Sequence, residues 1–276
     1  EILMGEQPPG VIGGDSLAAQ IRDVAARPAV KAIVLRISSG GGSAFASEII
    51  REAVREVRAA GTPVIASFGS VAASGGYYIG MDADEIWATP ATITGSIGVF
   101  MAFPTLEEAL ARLGVYTDGV GTTELAGSLR LDRPLNPRVA RGAQLSVDHI
   151  YRVFLEGVAE GRGLTTAAVE PYAAGRVFSA NTARSAQLVD AIGTLDDAVK
   201  AAAARAGVTD YRVRHVGPTL SPRDLLLQRL AGQIRLHWVP AALQQHLAPL
   251  RVFAGMLERL DDPRAMYLRC LTCVVP

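Results

Sequence analysis

The chain has 276 residues and no formal net charge; 49% of its residues are hydrophobic and 20% are charged. This is ordinary globular composition, with material for one large domain or for one domain plus an appendage. The lack of a basic excess argues against a nucleic-acid partner, and no apolar run reaches the length that spans a bilayer.

The opening residues, EILMGEQPPG, lack the basic start and apolar core of a signal peptide. They do not begin with Met, so the chain reads as a fragment or a processed piece. AVKAIVLRI (29–37) is a β-branched run expected to form a buried strand. SSGGGS (38–43) follows it as a loop. AFASEIIREAVREVRAAG (44–61) places Ile49, Ile50, Val54 and Val57 at helical spacing, with Gly61 as the stop. TPVIASF (62–68) predicts a second strand, and SGGYYIGMDAD (74–84) a short helix despite its glycines.

EIWATP (85–90) and GSIGVFM (95–101) predict strands, TLEEALARLG (105–114) an amphipathic helix and VYTDGV (115–120) a further strand. Residues 138–161 predict a long amphipathic helix, and 165–207 predict helices around a hairpin-like GRVFS. Strands alternate with helices, so the expected class is α/β. The character changes beyond residue 208, and a boundary is expected near 208–220. It separates a domain of residues 1–207 from a Leu-rich extension, 208–276.

Two stretches invite chemistry. SSGGGS sits between a strand and a helix. It lacks the Gly-Lys-Ser/Thr ending of a phosphate-binding P-loop. Gly40 and Gly42 fit a dinucleotide loop, but Phe45 holds the third glycine's place and no acidic residue closes the next strand. An oxyanion hole is the third reading, since glycines let backbone N–H groups approach a carbonyl. A plain tight turn competes with it. In SFGSVAASGGYYIG (67–80), Ser74 also lies where a strand turns into a helix. Its small neighbours permit a sharp turn, as at a nucleophile elbow, and Gly75 offers a second N–H. Close packing of a helix on a sheet explains the same small residues, so Ser74 is left open between nucleophile and packing residue.

Taken together, VKAIVLRISSGGGSAFASEII, GSVAASGGYYIG and TITGSIGVF resemble the signal peptide peptidase A (protease IV) family, which has the ClpP/crotonase-like fold. LGVYTDGVGTTELAG, GRVFSANTARSAQLVDAIGTLDDAV and YLRCLTC extend the likeness to the C-terminal half of the long, tandem-duplicated form. The resemblance covers residues 10 to 207 well and the tail loosely. It implies a serine peptidase with Ser74 as nucleophile, Ser96 bonded to a catalytic lysine, and Gly41 or Gly42 as an oxyanion donor beside Gly75. The sequence departs from the family loop: Gly40 stands for its proline and Ser38 for its asparagine. No cofactor or metal is implied.

A base is harder to find. The four histidines, His149, His215, His237 and His246, all lie outside these segments. The family uses a Ser-Lys dyad, but the chain has only Lys31 and Lys200. Lys31 opens the first strand at the end away from the loops, and Lys200 lies on a late helix. No lysine occurs in VGTTELAGSLRLD (120–132), and Arg130 stays protonated. The resemblance therefore implies a lysine supplied by an N-terminal half. It also implies a homo-oligomer at the outer face of the bacterial inner membrane, acting on cleaved signal peptides or other extended apolar peptides.

RDLLLQRLAGQIRLHWV (223–239) mixes leucines with arginines, as at a membrane surface or a packing interface. Cys270 and Cys273 form a lone C-x-x-C, read as half a metal site, a disulfide or a passive pair. Two other functions remain: a crotonase-like acyl-CoA enzyme, and a non-catalytic scaffold half.

Overall fold

The computed structural model describes residues 1–8, 10–217, 265–270 and 273. In chain order the elements are β1 (Ile2–Leu3), β2 (Ile12–Gly13), α1 (Gly14–Ala25), β3 (Ile33–Ser39), β4 (Gly41–Ser43), α2 (Ala44–Ala59), β5 (Val64–Ala73) and α3 (Gly75–Tyr78). There follow β6 (Glu85–Ala88), β7 (Ile93–Gly95), β8 (Phe100–Met101), α4 (Glu107–Arg112), α5 (Pro137–Arg162) and α6 (Thr166–Val169). A 3₁₀ turn (Glu170–Tyr172) leads to β9 (Val177–Ser179), α7 (Ala180–Ser185), β10 (Ala191–Ile192), α8 (Leu195–Arg205) and β11 (Met266–Arg269). The α/β expectation holds.

The elements form two sheets. The larger runs β10-β6-β5-β7-β9, with β3 on the other side of β5. β5 is its centre, parallel to β3, β6 and β7. Its ten residues, VIASFGSVAA, are buried except at Ser70, as expected of a strand covered on both faces. The smaller sheet runs β2-β1-β4-β11-β8. Helix α2 starts at Ser43, whose side chain accepts a hydrogen bond from the Ala46 N–H at 3.2 Å, satisfying one of the helix's free donors. Its Ile50, Ala53, Val54 and Val57 face the core.

Several expectations shift. β3 starts four residues later than expected and runs on to Ser39, and half of the expected loop is strand β4. β5 continues to Ala73, directly before Ser74. The expected strand 95–101 is two pieces, β7 and β8, broken at Ser96, whose φ is 49°. No strand forms at 115–120; this stretch is exposed and irregular. Val115, Tyr116 and Val120 find no partner strand, and pairing rather than propensity makes a strand. β1, β2, α1 and β11 were not anticipated. The Leu-rich stretch 221–260, with His237 and His246, lies outside the described residues.

Candidate active site

Parallel pairing brings the two signature loops to one edge. Ser39 lies opposite Ala72, and Ala73 opposite Gly95. Gly40, Ser74 and Ser96 therefore leave their strands at the same level, at the carboxyl ends where parallel sheets present their sites. Lys31 lies before β3, at the opposite end.

Ser74 turns the chain from β5 into α3 with φ 53° and ψ −119°. A non-glycine residue with positive φ costs roughly 1–2 kcal/mol. Two backbone bonds hold it: the Ser74 N–H donates to the Gly95 carbonyl at 2.9 Å, and its carbonyl accepts from the Tyr78 N–H at 2.8 Å. The residue is fully buried, yet its Oγ makes no hydrogen bond among the described residues. Buried hydroxyls normally find a partner.

Close packing accounts for the glycines after Ser74. A Cβ on Gly76 would sit 2.3 Å from the Ser39 carbonyl oxygen, and one on Gly75 would sit 2.7 Å from Ser47 Oγ and 3.1 Å from the Gly41 Cα. It does not account for Ser74, whose strained backbone a glycine would adopt more easily. Gly41, at φ 100°, donates its N–H to Ser39 Oγ at 3.1 Å. Gly42 pairs with Ile2 in β1 and Leu268 in β11. Thus Gly41, Gly75 and Ser74 form one packed unit, with Gly42 alongside.

Ser96 is buried at the break after β7, and its N–H donates to the Arg176 carbonyl at 2.6 Å. A cavity of about 360 Å³ opens beside it, lined by Ser96, Val99, Tyr151, Gly175, Arg269 and Cys270 among others. Neither lysine reaches this region. Lys31 Nζ donates to the Pro28 carbonyl at 3.1 Å, and Lys200 lies 3.8 Å from Asp197 on α8. His149 and His215 are exposed. Arg130 is paired with Asp132. Among the described residues no group of His, Cys, Asp and Glu converges to hold a metal.

A supporting network lay beyond sequence reasoning. Arg51 of α2 pairs with Asp82 at 2.6 Å, and both are about 95% buried, with side-chain exposures of 5% and 6%. Arg51 also reaches Glu48 at 3.2 Å and lies over the Tyr78 ring, 5.4 Å from its centroid. The Tyr78 hydroxyl donates to Glu48 at 2.5 Å. Burial and the adjacent Glu48 carboxylate push the Tyr78 phenol well above its usual range. These bonds tie the turn carrying Ser74 to α2. Helical spacing puts Glu48 and Arg51 on neighbouring positions, but nothing local points to Asp82. The role of Cys270 was also left open; it is in a disulfide with Cys273.

A serine held at a strained strand-to-helix turn beside a glycine loop is the arrangement of serine-nucleophile enzymes. Residues 56–209 match Peptidase family S49, and the chain belongs to that family. Its two sheets with flanking helices are of the α/β class expected from the sequence. The chain is 40% identical over 280 residues to the Protease 4 of Salmonella typhi, across 99% of this chain and 45% of that protein, in its C-terminal half. It is 39% identical over 284 residues to the Protease 4 of Haemophilus influenzae, with the same coverage of 99% and 45%. It thus spans less than half the length of these relatives. A ClpP1 mutant from Listeria monocytogenes aligns with a TM-score of 0.46 at 13% identity, over 67% of this chain and 86% of that one.

Proposed function

We propose that this chain is the nucleophile-bearing half of a Ser-Lys serine peptidase, whose general-base lysine comes from an N-terminal half. The observation that carries this reading is Ser74. Its backbone is strained, and its Oγ is buried without a hydrogen-bond partner among the described residues. Both lysines of the chain are engaged elsewhere, and the Protease 4 relatives are more than twice as long.

In this mechanism Ser74 Oγ attacks the scissile carbonyl carbon while its proton passes to the neutral lysine Nζ. Burial keeps such a lysine neutral by penalising its charged form. Ser96, which lines the adjoining cavity, orients the amine. The Gly75 N–H and a donor from the Gly41–Gly42 loop, where the Gly41 N–H first leaves Ser39 Oγ, receive the developing oxyanion, an interaction worth roughly 3 kcal/mol per donor in comparable sites. Collapse expels the amine product, which takes the lysine's proton, and leaves an acyl-serine. Water, deprotonated by the lysine, then releases the acid.

The substrates are cleaved signal peptides or similar extended apolar peptides, at the extracytoplasmic face of the bacterial inner membrane, in a homo-oligomer. The family resemblance supports this. No described helix is long and apolar enough to cross a membrane.

The test mixes the chain with a separately produced lysine-bearing N-terminal half and a serine-directed acylating reagent. Labelling of Ser74 in the mixture alone, lost in Ser74→Ala, is the expected result. Labelling of the chain by itself, retained in Lys31→Ala and Lys200→Ala, would sink the split dyad. No labelling in either case, with the two halves associated, would favour a scaffold role.

A further inference from the structure

β11 occupies a telling place. It lies between β4, which is the glycine loop, and β8, which follows Ser96, and it runs antiparallel to both. Leu268 stands opposite Gly42 and Arg269 opposite Gly41; Met266 stands opposite Met101 and Tyr267 opposite Phe100. The Leu268 carbonyl oxygen would be 1.9 Å from a Cβ on Gly41 and 2.9 Å from one on Gly75. The main chain of this strand therefore presses on both glycines beside Ser74. Met266 and Leu268 are buried in the main core, and Tyr267 stacks on Phe100 with centroids 5.5 Å apart.

The strand ends in a staple. The Cys270 N–H donates to the Gly40 carbonyl at 2.7 Å, and Cys270 is bonded to Cys273. The pair packs on Val71 and Ala73, the last residues of β5 before Ser74. One disulfide thus touches the exits of both strands that deliver the site.

We infer that the slot between β4 and β8 binds one extended apolar peptide strand, that Met266–Arg269 of the chain itself fills it, and that the Cys270–Cys273 disulfide secures this occupant. Strand addition draws affinity from main-chain hydrogen bonds and selectivity from pockets for alternate side chains. Here those pockets take Met266 and Leu268, so the ligand is an apolar peptide. A tethered strand competes at a high effective concentration. A four-residue strand makes few ladder bonds, so it can open without global unfolding, at the cost of exposing Met266, Tyr267 and Leu268.

Release is redox-linked. A dithiol thiolate attacks one sulfur of the pair, forming a mixed disulfide and freeing the other cysteine as a thiol. The second thiol of the reductant then displaces the first. The reductant leaves as a disulfide, having given two electrons, and Cys270 and Cys273 are both thiols. The covalent link that holds Cys273 to Cys270 beside Gly40 is then gone.

This inference rests on the reading of Ser74 and the glycine loop as a peptide site, but its test requires neither lysine nor catalysis. The full 276-residue chain is compared oxidised and after dithiothreitol, with thiol content confirmed by mass. Amide hydrogen exchange is followed at residues 40–43 and 266–270. Binding of a fluorescein-labelled, leucine- and alanine-rich decapeptide is followed by anisotropy. Reduction is expected to speed exchange in both segments about tenfold, leave 64–68 unchanged, and tighten peptide binding about tenfold. The Cys270→Ser/Cys273→Ser chain should match the reduced chain and ignore dithiothreitol. Leu268→Asp, which places a carboxylate in an apolar pocket, should bind the peptide even when oxidised. Unchanged exchange and affinity after confirmed reduction would overturn the latch. Failure of a natively folded Leu268→Asp chain to bind peptide would overturn the slot.

Discussion

Gly41 and Gly75 lie backbone against backbone, and a methyl group on Gly41 would come within 2.7 Å of the Gly75 nitrogen. The contact joins the glycine loop to the turn that carries Ser74, so loop geometry and nucleophile geometry are set together. Substitutions at either glycine therefore test the site and its packing at once.

Gly41→Ala should be among the most damaging small changes. Its φ is 100°, and the new Cβ would fall 1.9 Å from the Leu268 carbonyl oxygen. Gly61→Ala provides the comparison, because Gly61 has φ 90° but nothing within 4 Å of a Cβ. Conformational strain alone costs about 1–2 kcal/mol, so Gly41→Ala should lose at least about 2 kcal/mol more than Gly61→Ala in urea unfolding. Equal losses would mean that β11 does not press on Gly41.

Ser74→Ala should abolish acylation while leaving the fold as stable or more so. The substitution removes a buried hydroxyl without a partner among the described residues, and such a group costs about 1–3 kcal/mol. A rise in the thermal midpoint is the expected outcome. A clear fall would show that the hydroxyl is bonded in solution.

Arg51→Met should destabilise the chain by about 3–5 kcal/mol, because it leaves the buried Asp82 carboxylate with only the longer 3.9 Å pairing to half-exposed Arg55. Arg51→Met/Asp82→Leu should recover most of the loss. Chemical unfolding of the two variants decides this. A single-variant loss below about 1 kcal/mol would place the pair in a surface-like dielectric.

Alkaline pH should unfold the protein in a way that traces to tyrosine. Burial holds the Tyr77 and Tyr78 phenols well above their ordinary value. A group with a raised folded pKa contributes stability that is complete below its unfolded pKa, about 10 for Tyr. That stability is lost as pH rises from there toward the folded pKa. Unfolding free energy should be flat in this respect up to about pH 9 and fall above pH 10. Tyr78→Phe should flatten the alkaline limb, and an unchanged limb would assign it to other groups.

Much of the fold was legible. The apolar run of 29–37, the helical spacing of Ile50, Val54 and Val57, and the α/β alternation each reflect local periodicity, which the sequence carries directly. The candidate site was half legible. Ser74 stood out through its small neighbours and Ser96 only through the family resemblance, yet no pattern distinguished a nucleophile from a packing serine at Ser74. Backbone strain at Ser74 is a tertiary observation, because it exists only when β5, β7 and the glycine loop hold the turn in place.

By itself the sequence determined the class and the order of the two loops, since residue types and their spacing are local facts. Tertiary structure decided the rest. Parallel pairing brought Gly40, Ser74 and Ser96 to one level, and the buried Arg51–Asp82 pair anchored the serine turn. It also placed Met266–Arg269 beside Gly41, far away along the chain. Contacts between distant segments arise from shared burial and hydrogen-bond closure, and no window along the chain contains both partners.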